Sequence, residues 1–466
     1  MKKFIWLFAI ILLLYNCKNE RANRHVTNRA DFAITNITLI DGTGSEAQNN
    51  KTIFIKDGRI AKIEETKEET KADSIINGAG KYMIPGLFDA HYHFPRNRER
   101  AFRQLIHFGV TSIFNTGSSY TSYEMIKDDI RLEKADSLIA PNIYYTSYYV
   151  TIPGAHPAKH LDKETGIITG NMSVNENSNI YIIKSEEDIA GFVKEAKEGG
   201  AFAMKLTIED GPAPPFVDRI SQDYVNRVVK EAKQQNIKVF AHINDTIELE
   251  MGLKGGVDGF VHSLTTRHFW GDTNKELLDQ MIADSIPMIT TNMLIKSAFY
   301  PFNPEWRESS EWQIYEEDQI AEIDDFEPVY KKQVEPLLKQ FLGFEDFKIE
   351  ELQPFMNNFQ MLYDKGVLLV VGTDVSALAY IQSGHSVHEE LQLLQLGGMK
   401  PENIIQCATL NAAKMLEVDE DYGSLEEGKV ADMILLDENP LEDIANTLSI
   451  NTVYKRGKAQ PRIEVK

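Results

Sequence analysis

Two histidines two residues apart, His91 and His93, close the apolar run Lys81-Tyr82-Met83-Ile84-Pro85-Gly86-Leu87-Phe88-Asp89-Ala90. In a strand, residues i and i+2 point the same way. The two imidazoles therefore project together from one strand end, as two ligands of one metal must. An H-x-H pair alone says little, because such pairs also arise on surfaces without function. Its weight comes from four further strand-like runs with metal-compatible side chains at or near their ends. Phe202-Ala203-Met204-Lys205-Leu206 carries Lys205, and Phe240-Ala241-His242 ends in His242. Val261-His262-Ser263 carries His262, and Val371-Gly372-Thr373-Asp374 ends in Asp374. A single histidine after an apolar run is usually a satisfied core residue, but five strand ends that agree on metal chemistry are not explained that way. Softer candidates for substrate contact are His156, in Pro153-Gly154-Ala155-His156-Pro157, and His385 and His388, in Gly384-His385-Ser386-Val387-His388-Glu389-Glu390-Leu391. A loop role for His156 and a helix-capping role for the other two read as readily from the residues.

Bulk properties narrow the chemistry. A chain of 466 residues can hold a large core and two or three domains. Its net charge of −21 would repel phosphates and excludes nucleic acid as a partner. The two cysteines, Cys17 and Cys407, rule out a disulfide framework or a cysteine-rich zinc module. A metal must then be held by histidine, carboxylate or a less usual ligand. At the N-terminus, Met1-Lys2-Lys3 is followed by an apolar run from Phe4 to Tyr15. That run is shorter than the ~20 residues of a membrane-spanning helix and fits an export signal. It ends at Leu14-Tyr15-Asn16-Cys17, which resembles a bacterial lipoprotein signal. The expectation is a signal over residues 1–17, lipidation at Cys17 and a tether over 18–30. The protein would then be exported to the cell envelope, anchored on the periplasmic or outer side, and touch the membrane only through this segment.

The elements that must position the cluster follow from periodicity. Residues 31–84 alternate in strand fashion, with Asp57-Gly58 as a tight hairpin turn. Residues 425–466 contain two more strands, Ala431 to Asp437 and Thr452 to Lys458, so both chain ends are expected to build one composite β-sandwich domain. Between them, residues 85–424 alternate strand and helix. After the strand at Ile84–His93, further strands are predicted at 110–115, 142–150, 203–208, 237–243, 259–262, 287–291 and 368–371. Eight strands alternating with helices predict an α/β fold, a closed (β/α)8 TIM-like barrel, with its site at the strand C-terminal ends. An acidic, aromatic insertion over 296–355 reads as a lid or substrate wall, or equally as a helical outgrowth that covers apolar surface.

Three motifs together carry a resemblance: Ile84-Pro85-Gly86-Leu87-Phe88-Asp89-Ala90-His91-Tyr92-His93, Val257-Asp258-Gly259-Phe260-Val261-His262 and Gly372-Thr373-Asp374. With Ala408-Thr409-Leu410-Asn411-Ala412-Ala413 and the run Gly423 to Asp432, they make the chain resemble the metal-dependent amidohydrolase superfamily from about residue 31 to the end. Lys205 and the 384–391 stretch place the resemblance in its imidazolonepropionase-like and prolidase-like branch. The resemblance implies a distorted barrel with a β-sandwich from both chain ends. It implies that His91, His93 and Asp374 hold one divalent metal, and His242 and His262 a second. Lys205 would lie between them, carboxylated by CO2 to a bridging carbamate. Two zinc ions are the first expectation, with manganese or iron compatible with the same ligands. The implied reaction is hydrolysis of a carbon–nitrogen bond by metal-activated hydroxide, with Asp374 moving the proton to the leaving nitrogen. The implied substrate is a small molecule or peptide-like compound, as for a prolidase-like dipeptidase or an N-acyl amino acid hydrolase. The alternatives are a cyclic-amide hydrolase, a mononuclear deaminase and a catalytically dead binding protein on the same fold. The complete ligand set weighs against the last.

Overall fold

A computed structural model describes residues 30–117, 121–158, 179–211, 216–264 and 275–463. The expected signal, tether and Cys17 lie outside the described residues. Within them, no helix is long and apolar enough to cross a membrane.

Five strands open the chain: β1 (Ala30–Leu39), β2 (Gln48–Lys56), β3 (Arg59–Glu65), β4 (Ala72–Asn77) and β5 (Tyr82–Pro85). The β2–β3 turn is Asp57-Gly58, with φ of 50° and 77°. Both residues sit in the left-handed region that a two-residue hairpin matching strand twist requires. The chain then passes through Gly86 into β6 (Leu87–Tyr92). A Cβ at Gly86 would lie 2.1 Å from Thr111 Oγ1, so only glycine lets the chain cross here.

The barrel strands follow as β6, β7 (Val110–Asn115), β8 (Asn142–Thr151), β10 (Ala203–Thr207), β11 (Lys238–His242), β12 (Gly259–Phe260), β13 (Met288–Ile289) and β14 (Leu369–Val370), with a short β9 (Ile180–Ile182) beside β8. Each pairs in parallel with the next. The ring is closed by backbone bonds from Ala90 N–H to the Val371 carbonyl at 2.9 Å and from Asp374 N–H to the His91 carbonyl at 2.7 Å. The last three strands are shorter than their apolar runs predict. His262 therefore lies beyond the end of β12 rather than within it. Helices coat the outside by burying one stripe each. The helix Glu186–Gly199 starts on a Ser185/Asp188 capping box, buries Ile189, Val193 and Ala196, and stops at Gly200 in the left-handed conformation.

The chain returns through β15 (Met433–Leu436), β16 (Ile450–Lys455) and β17 (Lys458–Ala459). β15 pairs antiparallel with β5, setting Ile434 opposite Ile84. One eight-stranded sheet thus contains both chain ends, over a core that includes Ile34, Ile53, Met83, Met433 and Leu435. Because β5 belongs to this sheet and β6 to the barrel, the two units share one continuous run of chain.

The segment between β13 and β14 packs largely on itself. Trp306 and Trp312 have ring centroids 4.3 Å apart, and Tyr300 stacks on Tyr380 at 5.3 Å. Arg100, on the first barrel helix, pairs with Asp318 at 2.7 Å and Glu316 at 3.1 Å. The aromatic residues of this segment are therefore mostly core, joining the first and last barrel helices.

Gly372 sits where the barrel closes. A Cβ there would lie 2.5 Å from Ile289 Cγ2 and 2.6 Å from the His91 nitrogen. Gly372→Ala is expected to cost about 1–3 kcal/mol of stability as an overpacked core site. A urea titration should show a lower midpoint at an unchanged slope. An unchanged midpoint would mean that the closure yields without cost.

Candidate metal centre

Five strand ends deliver six polar side chains to one rim of the barrel. His91 and His93 leave β6 on the same side, as the period of two requires. His91 Nδ1 donates to the Val261 carbonyl at 2.5 Å, and His93 Nδ1 donates to the Gly117 carbonyl at 2.5 Å. Carbonyls only accept, so each ring carries a proton on Nδ1 and turns Nε2 into the cluster. The two Nε2 atoms lie 3.2 Å apart. Asp374 Oδ1 stands 2.8 Å from His93 Nε2 and 3.3 Å from His91 Nε2. Burial, with the charge of Lys205, holds His91 well below the ordinary histidine range, so it is neutral. Burial pushes the Asp374 carboxyl up, but His93 beside it, with His262 and Lys205, brings it below its ordinary value. Two imidazole Nε2 atoms and a buried carboxylate oxygen thus converge, and among the described residues Asp374 Oδ1 makes no hydrogen bond. Such a buried arrangement is unfavourable by itself and fits a cation.

A second pair lies alongside. His262 Nε2 is 3.0 Å from His242 Nδ1, while His262 Nδ1 meets the Thr291 hydroxyl at 2.9 Å. His242 turns its other nitrogen, Nε2, onto the Glu209 carboxylate. Burial depresses both histidines well below their ordinary range. The His91 and His262 rings have centroids 4.4 Å apart, so the two groups share one site.

Lys205 sits between them on β10. It is fully buried, its Nζ is 3.4 Å from His91 Nε2, and its backbone N–H donates to Ser147 Oγ at 2.9 Å. Among the described residues no carboxylate oxygen comes within 4 Å of its Nζ, so burial brings the ammonium down to about 7.

The turn that carries Asp374 is clamped. Thr373 donates to Asp89 through its hydroxyl at 2.6 Å and its N–H at 3.0 Å. Asp374 itself has φ of 64°, which this clamp and its bond to His91 hold in place.

The softer candidates separate. His156 lies at the edge of the second pair, with its ring 5.2 Å from His242 and its Nδ1 4.0 Å from Glu209 Oε1. His388 is held in packing. Both its nitrogens are engaged, Nδ1 with Thr447 Oγ1 and Nε2 with the Phe108 carbonyl, each at 2.8 Å. Burial brings it down to about 3, and it ties the last barrel helix to the first. His385 is the first residue of the helix His385–Leu396, 3.4 Å from Glu389 and 6.2 Å from the Trp312 ring. It belongs to the packing beneath the insertion and also lies apart from the metal-compatible cluster. Cys407 is buried with its thiol pushed up to about 12, consistent with inert packing.

Two further side chains border the site, and of these Glu209 escapes a reading by strand ends. Tyr149 places its hydroxyl 3.2 Å from His93 Nδ1. Glu209 lies beyond the end of β10, yet it shares the parity of Lys205 and Thr207, and that alternation is the signal that points to it.

A closed parallel barrel with a buried histidine–aspartate cluster at its strand C-terminal ends is the architecture of a metal-dependent hydrolase. The chain belongs to the amidohydrolase family, which it matches over residues 82–459. It is 22% identical over 426 residues to an imidazolonepropionase of Thermoplasma volcanium, covering 87% of this chain and 88% of that one. It is 22% identical over 408 residues to an ochratoxinase of Aspergillus niger, covering 81% and 75% respectively. Among solved structures, a Xaa-Pro dipeptidase with bound methionine superimposes with a TM-score of 0.66 at 20% identity, covering 92% of this chain and 99% of that one. The protein is an enzyme of the amidohydrolase class, a hydrolase of carbon–nitrogen bonds.

Proposed function

We propose that the protein is a two-metal hydrolase of amide or peptide-like bonds, with dipeptides and N-acyl amino acids as its substrate class. The observation that carries this is the convergence of two donor groups on either side of Lys205. His91, His93 and Asp374 would hold one metal, and His242 and His262 the other. Divalent cations there would activate water and polarise the scissile carbonyl. The chain's own residues supply the rest. Lys205, neutral in part near pH 7, can attack CO2 through its Nζ. An N–C bond would form as one C=O π bond opens onto oxygen, one proton would leave the nitrogen, and the carbamate would supply carboxylate oxygens between the two donor groups. Asp374, facing the first metal position through Oδ1, would take the proton from the attacking water on its other carboxylate oxygen and pass it to the leaving nitrogen. The carbonyls of Val261 and Gly117 keep the first pair of imidazoles in the ligand tautomer. The similarity to an imidazolonepropionase favours a second reading, in which the same cluster opens a cyclic amide.

The test is a screen of dipeptides, N-acyl amino acids, lactams and imidazolones with metal-loaded protein, measuring amine, carboxylate and ammonia release. Cleavage of the first two classes, abolished by chelation and restored by metal, is the expected outcome. Ring opening alone would favour the second reading, and ammonia release would refute both.

A further inference from the structure

We propose that Glu209 is a positioning residue that holds His242 in the orientation and tautomer needed to present Nδ1 to the second metal position; this rests on the two-metal reading above. His91 and His93 are fixed by backbone carbonyls. The outer nitrogen of His242 is met by a side chain instead, the Glu209 carboxylate. A carboxylate accepts only, so Nε2 must carry the proton and Nδ1 must offer its electron pair. That Nδ1 is the atom 3.0 Å from His262 Nε2. Turning the ring over would put Cδ2 where Nδ1 stands and Cε1 where Nε2 stands, and leave the carboxylate without its donor.

The placement of Glu209 is itself fixed. Ile208 N–H, on one side, donates to the His242 carbonyl at 3.0 Å. Asp210 N–H, on the other, donates to Glu248 Oε1 at 3.1 Å. The Glu209 side chain is buried, and its Oε1 faces His156 Nδ1 at 4.0 Å. Carboxylates that accept from a ligand imidazole raise its basicity, and their loss typically weakens metal binding about 10–100-fold. A rival use of the same atoms is direct: ligand atoms of His156, Glu209 and His242 all lie within 4.8 Å of one another and could enclose a cation of their own. The experiment separates the two.

Wild type, Glu209→Gln, Glu209→Ala and His242→Ala proteins are dialysed against chelator-buffered zinc, and the zinc-to-chain ratio is followed with zinc activity. The wild type should bind two zinc ions and His242→Ala one. Glu209→Ala should keep the first and bind the second about 10–100-fold more weakly, with Glu209→Gln between. A second zinc held at wild-type affinity in both Glu209 variants overturns the proposal. So does a third zinc in the wild type that Glu209→Ala removes while the second stays at wild-type affinity, since Glu209 would then be a ligand. A wild type that binds fewer than two ions refutes the two-metal reading by itself. The nitrogen shifts of His242 in metal-free protein then decide on Glu209: protonation confined to Nε2 in the wild type and spread over both nitrogens in the variants supports it, and identical shifts overturn it. Should Glu209→Ala fail to fold, Glu209→Gln carries both measurements.

Discussion

Asp374→Asn should lower turnover by about 10²–10⁴-fold, the range a positioned general acid–base supplies, while most of the bound metal stays. The separation is expected because the substitution changes little else. Asparagine has nearly the same shape, and its amide oxygen can still face the first metal position. It is also among the few residues that tolerate a left-handed backbone, so the φ of 64° at this position carries no new penalty. The clamp from Thr373 to Asp89 and the bond from residue 374 N–H to the His91 carbonyl do not involve the changed atom. What disappears is the second carboxylate oxygen, replaced by an amide nitrogen that cannot take a proton. The measurement pairs kcat with metal content on the same sample. Full activity would remove Asp374 from the proton path. Loss of the metal in step with activity would make its part that of a ligand alone.

The parts of this site legible in the sequence are those governed by local periodicity. Each apolar strand run names its own end, and the period of two decides that His91 and His93 share a side. The Asp57-Gly58 hairpin is equally local, because both residues tolerate the positive φ that the turn demands. Convergence is another matter: it follows only after eight strands are closed into a ring, since no spacing in the chain relates Lys205 to His91. Long-range capture is where reading fails. His388 lies four residues before Gln392 on an outer helix and has the motif-like company of His385 and Glu389. Its nitrogens are nevertheless taken by Phe108, 280 residues away in the chain, and Thr447, 59 residues away. No local pattern announces such partners. The aromatic richness of the insertion is ambiguous for a related reason. A substrate wall and a small core both call for Trp and Tyr, so the composition fits either; the structure stacks Tyr300 on Tyr380 and tilts Trp306 against Trp312. Glu209 lies just past the strand predicted over 203–208, so a reading by strand ends does not reach it.

Lys205→Ala should remove the second metal and reduce hydrolysis at least as far as Asp374→Asn does, and its effects should be partly reversible. Alanine deletes the bridge but leaves its cavity, so a small carboxylate such as formate or acetate can enter and restore part of both the metal content and the rate. Unchanged two-metal stoichiometry in Lys205→Ala would exclude the bridging role. The metal-free protein offers an independent readout. In the fold the ammonium is lowered from 10.5 to about 7 by burial. Between those values the unfolded chain binds the proton and the folded one does not, so the contribution of Lys205 to stability rises with pH through this window. Below about 7 both states are protonated and the full cost of a buried ammonium is felt. Lys205→Met keeps the volume and removes that charge. The metal-free variant should therefore be more stable than metal-free wild type at pH 6, by on the order of a few kcal/mol, and the advantage should shrink towards pH 10. Denaturant midpoints measured at both pH values in CO2-free buffer test this. Equal midpoints at pH 6 would mean that the ammonium is solvated in the fold, and a solvated lysine is not poised for carboxylation.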